Sequence, residues 1–235
     1  MSQTFFISGA NRGLGLAITE VALGGGDTVL AGCRQPEKSE ELKKLKTQYA
    51  SRLVFIPLDV VSDSSVKDAA AQAAKAVPQV DILMNVAGIS PGPANASLEQ
   101  VDLEKCREAF EVNVLGPLRV TRAFLPLLKK SNHPRVVHFT SGLASLSGKA
   151  EGGFYAYGVS KTALNMLSRT MSFDLKEDNI ISVVLDPGWV QTDMGGPNAP
   201  LKPLEAATPI VKTAKELTPE KSGQFIYHDG KPLNW

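Results

Sequence analysis

Cysteine is scarce in this chain: there are two, Cys33 and Cys106, in 235 residues. Two thiols make one bridge at most, which excludes a scaffold stapled by disulfides. Charge of one sign is not in excess either. The formal net charge is +1, so nothing electrostatic points to nucleic acid or to an anionic membrane. Long hydrophobic runs are missing; the apolar runs are strand-sized, far below a spanning helix. The opening residues, Met1-Ser-Gln-Thr-Phe-Phe-Ile-Ser-Gly9, hold no basic leader followed by an apolar core, so no signal peptide is expected. Repeats and low-complexity segments are absent. These absences together predict a cytoplasmic protein with two buried thiols and no nucleic-acid or membrane partner.

What is present is an ordinary globular balance, 43% hydrophobic and 21% charged, in a length that suits one large domain. Short β-rich runs alternate with helix-length amphipathic stretches. Strands are predicted at Thr4–Ser8, Thr28–Cys33, Leu53–Leu58, Ile82–Asn85, Val136–Thr140 and Ile181–Leu185, with a last one near Gln224–Tyr227. Helices are predicted near Leu14–Ala22, Glu37–Tyr49, Ser65–Ala76, Leu103–Lys129, Tyr155–Leu175 and Leu204–Leu217. Most of the strands are apolar on both faces, as strands buried between helix layers are. The alternation predicts an α/β fold: a doubly wound parallel sheet of Rossmann type, flanked by helices, in a single domain over 1–235. Residues 187–209 are rich in proline and glycine and follow a strand, which predicts a loop with a short helix lying over a cleft.

The first strand runs straight into Ser8-Gly-Ala-Asn-Arg-Gly-Leu-Gly15, which opens the first helix. Glycines at 9, 13 and 15 allow a sharp turn and let a pyrophosphate approach backbone N–H groups. The helix N-terminus then meets the anion with free donors and a favourable dipole. The second strand ends Ala31-Gly-Cys-Arg34, without the carboxylate that grips both ribose hydroxyls in an NAD site. Arg34 could instead pair with a 2′-phosphate, and Arg12 could add a second contact, unless either is simply an exposed arginine. The reading favours NADP(H).

Further along, Tyr157-Gly-Val-Ser-Lys161 puts a phenol and an ammonium four residues apart, on one face of a helix. A phenol has a reference pKa of about 10, and a fixed cation beside it favours the phenolate. Such a pair can move a proton on and off a substrate oxygen. Tyr155 competes on paper, but its fourth neighbour is Val159, not a cation.

With these motifs in order, the chain resembles the short-chain dehydrogenase/reductase family over nearly its whole length. Leu58-Asp-Val60 matches the segment in which the family's Asp, here Asp59, contacts an adenine ring with help from the backbone at Val60. Asn85-Val-Ala-Gly88 matches its Asn-Asn-Ala-Gly segment with Val86 in place of the second Asn, a change expected to be small. Asn113 falls where the family places a helix Asn, and Ser141 where it places a catalytic Ser. Pro187, Gly188 and Thr192 sit where it contacts the nicotinamide and its carboxamide. The resemblance implies a catalytic set of Asn113, Ser141, Tyr157 and Lys161. It implies a cofactor site drawn from Gly9, Asn11, Arg12, Gly13, Leu14 and Gly15, then Arg34, Asp59 and Val60. Asn85, Ala87 and Gly88, the Tyr157–Lys161 pair, and Pro187, Gly188, Val190 and Thr192 complete that site. Ser141 precedes Tyr157 by 16 residues, slightly more than the family shows; Gly152-Gly153 is expected to supply slack. Ser145 and Ser147 are conceivable substitutes, although neither ends a strand.

The resemblance implies hydride transfer between a nicotinamide and a carbonyl carbon, with Tyr157 as acid, Ser141 holding the carbonyl oxygen, Lys161 lowering the Tyr157 pKa, and Asn113 holding a water. No metal is implied. A catalytically silent NADP(H) sensor is the alternative; its expected signature, damage to Ser, Tyr or Lys, is absent. A nucleotide-sugar epimerase or dehydratase would need a C-terminal domain this chain lacks. Pro187–Pro197 and the tail Tyr227–Trp235 look like those of C-factor/sniffer-like carbonyl reductases. Trp189 and Met194 are expected to wall an apolar or aromatic substrate, unless Trp189 is core packing. Trp235 is expected over the site, against a partner, or loose. The long 103–129 and 155–175 helices pair between subunits in related proteins, which implies a homodimer or homotetramer.

Overall fold

Along Thr4–Ser8, the first strand (β1), side chains alternate: Phe5 and Ile7 enter one core and Phe6 the other, where its ring stacks 4.0 Å from Phe124. That two-sided burial is the signature of a sheet covered by helices on both faces. The computed structural model describes residues 2–235 and shows such a sheet. Its seven strands are all parallel, in the order β3-β2-β1-β4-β5-β6-β7. They are β1, β2 (Thr28–Cys33), β3 (Leu53–Pro57), β4 (Ile82–Asn85), β5 (Arg135–Phe139), β6 (Ile181–Asp186) and β7 (Phe225–Tyr227). One face is covered by α1 (Gly13–Gly24), α2 (Glu40–Tyr49) and α7 (Pro203–Glu216). The other carries α3 (Asp63–Ala76), α5 (Gly116–Leu128) and the end of α6 (Tyr155–Asp174), with α4 (Leu103–Phe110) packed on α6.

The predicted α/β fold is thus observed, and the departures have local causes. The helix expected over 103–129 is two helices joined by a π-helical stretch, Glu111–Leu115. Pro117 has no N–H to return to the Asn113 carbonyl, so the ladder slips by one residue and Gly116 bonds Glu111 instead. The helix expected from Glu37 begins at Glu40, where Ser39 caps it by accepting from the Leu42 N–H at 3.3 Å. The short helix expected within 187–209 is absent as a separate element. That segment is a run of turns, and its last residues are the start of α7. Cys33 is buried as expected, but Cys106 on α4 is only half-buried; both are free thiols. Among the described residues no helix is long and apolar enough to cross a membrane.

Because every strand runs the same way, Ser8, Asn85, Phe139 and Asp186 all lie along one sheet edge. The chain leaves β1 towards one layer and β4 towards the other, so a crevice opens at that edge. The glycine turn, residues 86–88, Ser141 and Pro187 all project from it.

Candidate active site

The turn before α1 is shaped for a close neighbour. Gly9 stands at φ +74° and donates its N–H to the Gly32 carbonyl at 2.7 Å; a Cβ there would come within 3.0 Å of the Ala87 backbone. At Gly15 a Cβ would lie 2.2 Å from the Gly9 carbonyl oxygen, so no other residue fits. No side chain caps the start of α1. Its first N–H groups and its dipole are therefore free for an anion. Ser8 fastens this turn to the exit of β4: its Oγ accepts from the Val86 N–H at 3.1 Å and from the Ala87 N–H at 3.2 Å.

Facing this cradle, the first two turns of α6 carry Tyr157 and Lys161. Lys161 is buried; its Nζ donates to the Phe139 carbonyl at 2.7 Å and lies 5.7 Å from the centre of the Tyr157 ring. Ser141 opens a 3-10 turn, Gly142–Ala144, its Oγ accepting from the Leu143 N–H at 3.2 Å. Asn113 sits in the π-helical stretch, fully buried. Its amide pairs both ways with the Ile89 backbone, at 2.8 and 2.9 Å, and donates to Ser160 Oγ at 3.0 Å. A Cβ at Gly88 would stand 3.2 Å from Asn113 Oδ1 and 3.3 Å from Lys161 Nζ, so glycine there keeps the space between amide and amine open.

Burial pushes the Tyr157 phenol up to about 12; the Ser141 hydroxyl pulls it down and the Asp186 carboxylate raises it further. Burial also brings Lys161 down to about 8. Desolvation dominates at Tyr157, and the Lys161 ammonium is turned to the Phe139 carbonyl.

The short chain dehydrogenase family profile matches residues 3–201. This chain belongs to that family. Among curated relatives of this short-chain dehydrogenase, the C-signal protein of Myxococcus xanthus is 44% identical over 156 residues, which cover 66% of this chain and 93% of the relative. Among solved structures, the carbonyl reductase Sniffer of D. melanogaster is 31% identical, with a TM-score of 0.95 and all of both chains covered. A carbonyl reductase from chicken fatty liver, solved with NADPH bound, is also 31% identical, with a TM-score of 0.90 over 100% of this chain and 99% of that one.

The remaining family positions fall around the same crevice. Asp59 follows β3, its Oδ1 accepting from the Val61 N–H at 3.2 Å, and Val60 packs on Gly116 at the start of α5. Val86 takes up the apolar core beside β1, the physical reason a valine suits that position. Asn85 is buried, with Nδ2 3.1 Å from Thr121 Oγ1 and 3.2 Å from His138 Nδ1. Its side chain is thus committed to the core. Thr192 lies against Gly13, whose added Cβ would meet its methyl at 3.2 Å. Arg34 and Arg12 are both exposed, and Arg12 pairs with Asp193 at 2.8 Å.

Two expectations about loops are resolved by contacts. Gly152 has open space around it, while Gly153 stands at φ +79° with the Ala94 carbonyl oxygen where a Cβ would be, a place only glycine fits. Ser145 and Ser147 hold the tail, Ser145 Oγ donating to the Asn234 carbonyl and the Ser147 N–H to that of Trp235, both at 2.9 Å. Trp235 is therefore docked, its ring 5.6 Å from Phe225. Trp189 is 57% exposed, not core, and its Nε1 donates to the Gly195 carbonyl at 2.7 Å.

Sequence reasoning missed Ser8, His138 and Asp186. Ser8 and His138 carried a usable signal, a polar residue within an otherwise apolar buried strand. Burial, then the Lys161 charge, brings His138 down to about 3, so it is a neutral neighbour beneath Lys161.

Proposed function

We propose that this short-chain dehydrogenase is an NADP(H)-dependent reductase of ketones or aldehydes. The observation that carries the reading is the convergence of Ser141, Tyr157 and Lys161 on the crevice that also holds an uncapped helix start behind a glycine turn. A nicotinamide cofactor bound there supplies the hydride. Gly9, Asn11, Arg12, Gly13, Leu14 and Gly15 would hold its pyrophosphate through backbone N–H groups, and Arg34 its 2′-phosphate. Asp59 and Val60 would take the adenine. Asn85, Ala87 and Gly88 would line the ribose and nicotinamide by their backbone, and Pro187, Gly188, Val190 and Thr192 the carboxamide side. The fit is physical: Gly9 and Gly15 let the turn fold tightly against Ala87 and onto itself, and Gly88 keeps the space beside Lys161 open.

Tyr157 then donates its proton to the oxygen of the carbonyl being reduced. Ser141 hydrogen-bonds the same oxygen and fixes its direction. Lys161 would bond the cofactor ribose and, once turned from Phe139, make proton loss from Tyr157 easier. Asn113 shapes the opening beside Gly88 through which a water reaches Lys161. General acid catalysis of this kind contributes roughly 10² to 10⁴ in rate. The exposed Trp189 and Met194 on the 187–209 segment suit an apolar or aromatic carbonyl compound under that lid.

The assembly we propose is a homodimer. Val159, Met166 and Phe173 recur every seventh residue along α6, at 59%, 69% and 64% exposure, and Leu103 and Phe110 do the same on α4 beside it. A self-complementary apolar face of this kind suits a two-fold contact.

The test is a panel of diketones, quinones, ketones and aldehydes, with NADPH or NADH consumption followed by absorbance. Turnover with at least one carbonyl class, and NADPH preferred, is the expected result. NADPH binding without turnover across the panel would favour the sensor reading instead.

A further inference from the structure

Arg12 lends its backbone to the cofactor turn, but its guanidinium is engaged elsewhere. It is the residue directly before α1, where no side chain caps the helix start. The turn it belongs to is bonded to the end of β2: the Gly9 and Ala10 N–H groups both donate to the Gly32 carbonyl, at 2.7 and 3.2 Å. Arg12 and Arg34, both exposed, therefore rise from two joined segments at the corner where the cofactor phosphates would lie. Arg12 Nη1 is nevertheless taken by Asp193 Oδ2, 2.8 Å away.

Asp193 comes from the 187–209 segment, and that segment is knit to itself. Trp189 Nε1 donates to the Gly195 carbonyl at 2.7 Å, the Gly196 N–H to the Thr192 carbonyl at 2.8 Å, and the Gln191 N–H to the Leu201 carbonyl at 2.8 Å. Its hold on the glycine turn is slighter: the Thr192 methyl beside Gly13, and the ion pair. Among the described residues no second ion pair joins the two. An open groove lined by Leu16 and Glu20 of α1 and by Pro197 and Leu204 lies beside the pair. The carboxylate is thus placed by the turns of its own segment. The partner free to swing away is the long arginine side chain, 68% exposed.

We propose that Asp193 sets the affinity for the cofactor by competing with one of its phosphates for the Arg12 guanidinium. The inference rests on the NADP(H) reading and adds a residue that works against tight binding. An ion pair as exposed as this one is weak. A guanidinium on phosphate is charge-assisted and can be bidentate, so the phosphate wins the arginine. Two costs follow from the same carboxylate. The Arg12–Asp193 pair is lost, and Asp193 is left without its cation close to groups of like charge. Asp193 thereby weakens the cofactor complex and eases release of the spent cofactor.

The test is a double-mutant cycle of Asp193→Asn and Arg12→Ala, read as dissociation constants by titration calorimetry for NADPH, NADH, 2′,5′-ADP and ADP. The salt is kept at about 0.15 M, where exposed charges more than about 8 Å apart are largely screened. Asp193→Asn should bind NADPH roughly two- to fivefold more tightly than wild type. Arg12→Ala should bind it on the order of tenfold more weakly, and adding Asp193→Asn to that variant should recover less than it gains in the wild type. A gain confined to NADPH and 2′,5′-ADP assigns the 2′-phosphate as the competitor; an equal gain with NADH and ADP assigns the pyrophosphate. An affinity in Asp193→Asn no tighter than wild type overturns the inference. So does the same gain with and without Arg12, which would make Asp193 a general repulsive charge. A purely structural pair would lower the melting temperature and leave the affinities alone, which also overturns it. Asp193→Ala carries the same expectations should the amide make a new contact. Wild-type protein that binds neither NADPH nor 2′,5′-ADP sinks the NADP(H) reading itself, a result the mutant comparison cannot produce.

Discussion

Lys161 is the residue whose energetics are most exposed to test. It is a buried amine without a carboxylate partner, held by one carbonyl. Its value of about 8 lies below the unfolded 10.5, so the unfolded chain binds the proton more tightly. At neutral pH that difference costs the fold on the order of 3 kcal/mol. The cost fades as pH rises from about 8 towards 10.5. Lys161→Met should therefore melt higher than wild type at pH 7, by several degrees, while losing turnover. A lower melting point for the variant at pH 7 would show that the ammonium stabilises the fold. Arg34 tests the cofactor at the same scale. A charge-assisted bond to phosphate is worth roughly 1.5 to 3 kcal/mol. Arg34→Asp should thus weaken NADPH binding by about 10- to 100-fold and shift preference towards NADH, read as dissociation constants for the two. An unchanged NADPH/NADH ratio would exonerate Arg34.

Elements were legible where a single period ran uninterrupted. The limits of β1, β2 and β4 follow from four- to six-residue apolar runs, and the Tyr157–Lys161 pair shares one helical face as spacing alone dictates. The break at Glu111–Leu115 was also in the sequence, in Gly116-Pro117, but the apolar period continued across it and hid it. Asp186 was hidden differently. An acid at the end of a buried strand has no pattern of its own, and its nearness to Gly142, 44 residues away in the chain, arises only in the fold. The π-helical stretch makes its own prediction. Pro117→Ala restores the missing N–H and lets an α-helical ladder run through, which would turn the Asn113 amide away from Ile89. Turnover should fall at least about tenfold, with thermal stability equal or higher. Full activity would mean the stretch is incidental to Asn113.

At the scale of the molecule, the parallel sheet brings every strand's exit to one edge, and that edge gathers the glycine turn, the buried amine and the phenol. The opposite side of α4 and α6 is the apolar face left without a neighbour. Phe173→Asp should convert a dimer to monomer in sedimentation velocity, with helix content unchanged; a wild type that sediments as a monomer would contradict the pairing. The account stands most directly on Tyr157→Phe, measured for NADPH affinity and for carbonyl-dependent NADPH consumption together. The reading predicts affinity within about twofold of wild type and a rate lower by roughly 10² to 10⁴. Wild-type turnover in that variant would contradict it.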